Sequence, residues 1–217
     1  QWQKGVSPLS ALFLKNREIF ESFESFSSPN YESNISNPLL ISGMGHCVER
    51  ILKALNNNEQ IAVYSDYDCD GIPGAVVFSD FFKKIGYEKV IYYIPHRHKE
   101  GYGLNISAIN LLKDSGVTFI ITVDLGITNI KEVAYAQEIG IDVIVTDHHL
   151  PHVEIINGVE VQILPPAYEV INTKKTNETY KEKMLCGCAT AWKVVCALLM
   201  YVKSNNKTEK TVFEQRI

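Results

Sequence analysis

From Gln60 onward, short and almost wholly apolar runs alternate with longer segments whose apolar residues recur at helical spacing. Four runs stand out, residues 60–65, 89–94, 118–123 and 142–146, all rich in Val, Ile or Tyr. Strands apolar on both faces are those covered by helices on both sides, as in a parallel sheet. Their separation of roughly 25 to 30 residues leaves room for one helix per crossover, the right-handed β-α-β unit. Residues 161–164 are a candidate fifth strand.

The segments between carry helix starts and stops. Residues 73–85 open on Pro73 and stop at Gly86, and 105–115 open on an Asn cap and stop at Gly116. Residues 130–139 follow Thr128-Asn129 and stop at Gly140, with a weaker stripe of Val133, Ala134, Ala136 and Gln137. Ahead of the first strand, residues 44–55 place Val48, Ile51, Leu52 and Leu55 on one helical face, which predicts packing on the sheet. Residues 9–26 read as a helix and 27–38, rich in Ser, Asn and Pro, as a connection. The predicted organisation is an amino-terminal helical extension and linker over 1–40, then an α/β domain over 41–217 with a parallel sheet flanked by helices. Residues 172–183 are polar and read as a mobile loop, and 188–202 return to helix.

Composition narrows the setting. Among 217 residues, 21 basic and 25 acidic side chains give a formal charge of -4, so any polyanion must be held by local charge or bound metal. No stretch approaches the roughly 18 to 20 apolar residues of a membrane span, and Gln1-Trp2-Gln3-Lys4-Gly5 offers no signal core. The expectation is a cytoplasmic chain without a membrane partner. Five cysteines, an odd number, argue against a disulfide framework and for a reducing compartment. The first residue is not Met, and a segment of something longer is expected.

The chemistry-bearing residues stand at strand ends. Ile61-Ala62-Val63-Tyr64-Ser65 runs into Asp66-Tyr67-Asp68-Cys69-Asp70-Gly71, Ile120-Ile121-Thr122-Val123 into Asp124-Leu125-Gly126, and Val143-Ile144-Val145-Thr146 into Asp147-His148-His149. Open α/β sheets bind ligands at the carboxyl ends of their strands, so the three motifs are expected to converge. Clustered carboxylates repel one another unless a cation is present, and carboxylate with imidazole suits Mn²⁺ or Mg²⁺. An EF-hand loop would match Asp66-x-Asp68-x-Asp70-Gly71, but its twelfth position is Val77 and its flanks are not both helical. A haloacid-dehalogenase-type phosphatase would match Asp68-Cys69-Asp70-Gly71, yet has Ile72 and Pro73 where Thr and Leu are preferred and no use for the histidines. A solvated acidic turn explains any one motif and strains to explain three. Cys186-Gly187-Cys188, without nearby His, reads as a structural turn.

Taken in order, D-x-D-x-D-G, V-D-x-G-I and V-T-D-H-H-x-P resemble the DHH phosphoesterase superfamily, and Arg97-His98-Lys99-Glu100-Gly101-Tyr102-Gly103-Leu104 resembles the R-x-x-E-G-Y-G-L segment of its RecJ branch. The resemblance runs from about Ser42 to Met200. It implies a single-stranded-DNA-specific exonuclease that works from the 5′ end and releases 5′-mononucleotides, with a role in DNA repair and recombination. It further implies two Mn²⁺ or Mg²⁺ ions held by Asp66, Asp68, Asp70, Asp124 and His148, with Asp66 either a ligand or an outer acid. Asp124 would be shared between the ions, Asp147 or a backbone carbonyl would fix the orientation of His148, and His149 would face the scissile phosphate. Asp70, Asp124 and His149 are the expected catalytic residues; Arg97 would clamp phosphate, with Gly101 and Tyr102 also binding substrate. Partners implied are single-stranded DNA, a single-strand-binding protein and a helicase, on a monomeric full-length protein. Two departures stand out: Tyr64 occupies the place of a metal-binding His of many superfamily members, and no fourth-motif Asp follows residues 188–202, so an incomplete catalytic half is expected. The same site on a small phosphoanhydride, cyclic dinucleotide or short oligonucleotide, and a catalytically silent scaffold, are the alternatives.

Overall fold

The computed structural model describes residues 6–18, 26–30 and 34–205. The chain divides into two compact units, 1–37 and 38–217. In the first, helix α1 spans Pro8–Asn16, with proline at its start and Ser7 Oγ accepting the Ser10 N–H at 3.1 Å. It is shorter than the predicted 9–26: Arg17 caps it and Glu18 turns to a positive φ of 57°. Residues 19–25 of that expectation lie outside the described residues.

The second unit holds helices α2 (Met44–Asn56), α3 (Gly71–Lys84), α4 (Ile106–Asp114), α5 (Ile130–Glu138) and α6 (Gly187–Asn205). Its strands are β1 (Gln60–Ser65), β2 (Val90–Tyr93), β3 (Val117–Val123), β4 (Asp142–Thr146), β5 (His152–Ile156), β6 (Val159–Ile163) and β7 (Glu169–Ile171). Five of them form a wholly parallel sheet in the order β2-β1-β3-β4-β7. Residues 161–164 are not its fifth strand. They belong to the antiparallel β5–β6 hairpin, closed by Asn157-Gly158 with φ of 54° and 79°, the backbone that a tight hairpin turn requires. The sheet's fifth strand is β7, three residues long and too short to show a period of its own.

Alternation along the strands feeds two cores. Ile61, Val63, Phe119 and Ile121 face α2, α3 and α6, whereas Ala62, Tyr64, Ile120, Val143 and Val145 face α4 and α5. The crossover helices therefore change sides between β1 and β3, where the loops at the strand ends diverge into a crevice. That change of side places the β1 and β3 motifs on the two lips of one opening.

A charged group ties the outer layer to the sheet. Arg50 of α2, only 3% exposed, donates to Asp142 Oδ2 at 2.6 Å and Glu59 Oε2 at 2.8 Å and lies over the Phe119 ring. Arg50→Ala leaves the carboxylates of Asp142 and Glu59 without their cation. The expected loss is about 2 kcal/mol, below the ~3–5 of a fully buried pair because Asp142 remains partly in water. A urea unfolding midpoint unchanged from wild type would show that the pair contributes nothing.

The segment 172–183 is anchored where a loose polar loop was expected. Asn172 and Thr173 are fully buried; Asn172 Nδ2 donates to His149 O, and Thr173 Oγ1 to Lys183 O. The Glu178 carboxylate accepts from the N–H groups of Ser42, Thr179 and Tyr180. The buried ones, Asn172, Thr173 and Glu178, serve the backbone of the turn, while Thr176, Asn177, Thr179 and Lys181 face solvent.

Candidate metal centre

At the end of β1 the three aspartates do different work. Asp66 Oδ1 accepts the Tyr67 N–H at 2.8 Å, and Asp68 Oδ1 accepts those of Asp70 and Gly71, both at 2.8 Å. Asp68 thus satisfies donors left over at the start of α3, which begins two residues before the predicted Pro73. Asp70 reaches across the crevice, where its oxygens accept the Gly187 N–H at 2.7 Å and the Cys188 N–H at 3.0 Å, the first residues of α6. An anion at a helix amino terminus is favoured by the unpaired N–H groups there.

Asp124 sits between these motifs and the histidines. Its φ of 63° is unusual for a residue with a side chain, and such strain persists where the surroundings enforce it. The side chain is 0% exposed; among the described residues neither oxygen accepts a well-formed hydrogen bond, and the nearest acid, Asp68, pairs with it when Asp124 carries the proton. His148 Nε2 lies 3.1 Å from Asp124 Oδ1 and 3.5 Å from Asp70 Oδ2. Asp147, by contrast, is saturated: Oδ2 accepts from Ile127 N, and Oδ1 accepts from His148 N, His149 N and the His149 ring at 2.8 Å. The ring that Asp147 orients is therefore His149 and not the expected His148, whose ring is left to face Asp124 because Asp147 meets only its backbone N–H.

The protonation states follow from these surroundings. Burial, then the charges of Asp70 and Asp68, push Asp124 up to about 8. Burial also raises Asp66. Against burial, the Gly71 and Asp70 N–H groups hold Asp68 below its ordinary value, and those of Cys188 and Gly187 do the same for Asp70. Burial and the neighbouring His149 lower His148, so its imidazole is neutral and its lone pair available; the hydrogen bond to Asp147 raises His149.

Asp66, Asp68 and Asp124 place ligand atoms within 4.8 Å of one another, as do Asp124, His148 and His149. Asp124 belongs to both groups. Among the described residues the buried Asp124 carboxyl faces the neutral His148 ring and the acid of Asp68 but no cation, so its charged form is costly and the donor set fits a hard divalent metal, with Asp124 as the common ligand.

Residues 60–215 match the family model described as the DHH family, N-terminal domain. The chain belongs to the DHH family. It is 36% identical over 199 residues to the single-stranded-DNA-specific exonuclease RecJ of Bacillus subtilis, covering 91% of this chain and 24% of that protein. Among solved structures it resembles RecJ in complex with Mn²⁺ from Thermus thermophilus, with TM-score 0.69 and 27% identity over 91% of this chain and 26% of that one. It also resembles an exonuclease RecJ bound to manganese, with TM-score 0.64 and 31% identity over 75% and 38%. The chain spans about a quarter of the length of the curated relatives it matches.

In this DHH domain the segment from Arg97 to Leu104 forms one wall of the crevice. Arg97 is exposed, lies over the Tyr67 ring at 5.2 Å and acts electrostatically on Asp66. It does not bridge to Glu100, whose carboxylate is held by the Tyr93 hydroxyl and the His96 N–H. His96 and His98 face solvent. Gly101 and Gly103, with φ of 82° and 83°, turn Tyr102 inward so that its hydroxyl lies 3.5 Å from His149 Nδ1. Tyr64 is no substitute ligand: it points into the opposite core, donates to Gly103 O at 3.2 Å and accepts from Asn105 Nδ2. It holds the Tyr102 loop in place.

One functional residue escaped sequence reasoning. A methyl group at Gly187 would fall 2.5 Å from Cβ and Cγ of Asp124 and nearer still to Oδ1, so only glycine fits behind that carboxylate. Its signal was the glycine of Cys186-Gly187-Cys188 ahead of an apolar helix, read only as a turn.

Proposed function

We propose that this chain is the metal-holding part of an exonuclease that degrades single-stranded DNA from the 5′ end to 5′-mononucleotides. The observation that carries this reading is the buried Asp124 carboxyl, set between two donor groups and facing no cation among the described residues. The named activity of the RecJ relatives, and the manganese of two solved ones, support the substrate and metal class. We assign Asp66, Asp68 and Asp124 to one ion and Asp124 with His148 to a second, Asp70 standing alongside, Mn²⁺ or Mg²⁺ in each. Bound divalent ions supply charge neutralisation and an acidified water for phosphodiester hydrolysis.

The remaining work falls to the chain. Asp147 keeps the proton on His149 Nδ1 and fixes the ring, whose side chain is 45% exposed and so open to substrate. The Asp147 hydrogen bond favours the protonated form of His149, and in that form the ring would offset negative charge that grows on the phosphoryl oxygens. Arg97 at the rim offers a planar donor pair to a backbone phosphate, and the Tyr102 ring offers a face for a base.

The test is degradation of 5′-phosphorylated single-stranded DNA by the full-length protein with Mn²⁺. His149→Ala is expected to lower kcat about 10²-fold while the Mn²⁺-induced rise in Tm is retained. Turnover of pyrophosphate without strand degradation would replace this substrate by a small phosphoanhydride.

A further inference from the structure

Beside the centre, and without a part in its chemistry, Cys186 and Cys188 bring their Sγ atoms to 3.6 Å. Each lies within 4.8 Å of a carboxylate oxygen of Asp70. Two sulfurs on a tetrahedral zinc ion, at about 2.3 Å per bond, are separated by about 3.8 Å, so the pair already spans the edge of such a site. Asp70 is fixed against the cysteines by the N–H groups of Gly187 and Cys188, and the Cys186 and Cys188 thiols also hydrogen-bond to its carboxylate, contacts that a metal ion replaces once the thiols lose their protons. All three residues are partly exposed, which lets an ion enter and a water complete the shell.

We propose that Cys186, Cys188 and Asp70 form a site for a thiophilic divalent cation such as Zn²⁺ or Cd²⁺, and that its occupation neutralises the Asp70 charge that faces His148 at the neighbouring hard-metal centre. Two sulfurs and one oxygen select zinc or cadmium over manganese or magnesium. Binding converts two thiols to thiolates and releases their protons to solvent, with no change of oxidation state. The site itself stands on geometry; the consequence for activity rests on the proposed function.

Titrating the metal-free protein with Cd²⁺, followed by the ultraviolet thiolate-to-cadmium charge-transfer band, is expected to show one such ion per chain. Cys186→Ser and Cys188→Ser, nearly isosteric, should each weaken it at least about tenfold while the circular dichroism spectrum is kept. No band, or one that survives in either variant, overturns the site. In strand degradation with Mn²⁺, added Zn²⁺ should inhibit the wild type and require at least about tenfold more to inhibit the double serine variant. Equal inhibition of both overturns the link to the centre. A protein that shows the band yet degrades no strand supports the site and overturns the proposed function.

Discussion

Asp124→Asn is expected to abolish metal-dependent activity and, in the same protein without metal, to raise stability at pH 8. In the fold the carboxyl is pushed up to about 8 by burial and by the charges of Asp70 and Asp68. In the unfolded chain an aspartate titrates near ~3.9. Between those values the folded state holds a proton that the unfolded state has released. Stability therefore falls as pH rises from about 4 to about 8, by at most ~1.4 kcal/mol per unit. Asparagine keeps the shape and cannot ionise, so the penalty disappears. A gain of about 2 kcal/mol, discounted for coupling among the acids, would raise Tm by about 4–8 °C at pH 8 and by nothing near pH 4. Mn²⁺ should raise the wild-type Tm and leave the variant's unmoved, while activity falls by about 10³-fold or more. Thermal scans at the two pH values, with and without Mn²⁺, decide the matter; a variant less stable than wild type at pH 8 would mean that Asp124 is not strained in the metal-free fold.

Gly187→Ala carries the second large effect, and two principles oppose each other over its sign. By helix propensity alone, alanine in the first turn of α6 is better than glycine by up to about 1 kcal/mol. The added methyl, however, overlaps the Asp124 side chain, which is fully buried and has nowhere to go. Moving α6 instead would break both hydrogen bonds from Gly187 and Cys188 to Asp70. Overpacking of this kind costs about 1–3 kcal/mol and should prevail. The expected outcome is a lower urea midpoint together with Mn²⁺ affinity reduced at least about tenfold, read by calorimetry. Wild-type affinity in a stably folded Gly187→Ala protein would show that the close approach does not position the carboxylate.

Much of the fold was legible along the chain because β1, β3 and β4 are apolar on both faces and their helices end on glycine. β1 and β4 coincide with their predicted bounds, and Asn105 caps α4 as its side-chain oxygen accepts the Ala108 N–H at 2.7 Å. The failures have physical causes. β7 is held by pairing with β4 rather than by its own pattern, and residues 161–164 look strand-like because they are strands, but of a hairpin outside the sheet. In the segment 172–183 the polar side chains of Asn172, Thr173 and Glu178 pin a turn, which a polar pattern shared with exposed neighbours does not distinguish from a loose loop.

The order of motifs, residue types at strand ends and apolar periodicity are local quantities, and by themselves they determined the parallel α/β sheet, the acids and histidines of the crevice, and the family. What each acid does depends on partners far away in the chain. Asp70 meets Gly187 across 117 positions, Asp147 chooses His149 over His148, and Tyr64 turns into the core rather than toward metal. Those assignments, and the burial of Asp124 away from any cation among the described residues, exist only once the crossovers have brought β1, β3 and the start of α6 together, because burial and hydrogen-bond saturation belong to the packed neighbourhood and not to any stretch of sequence.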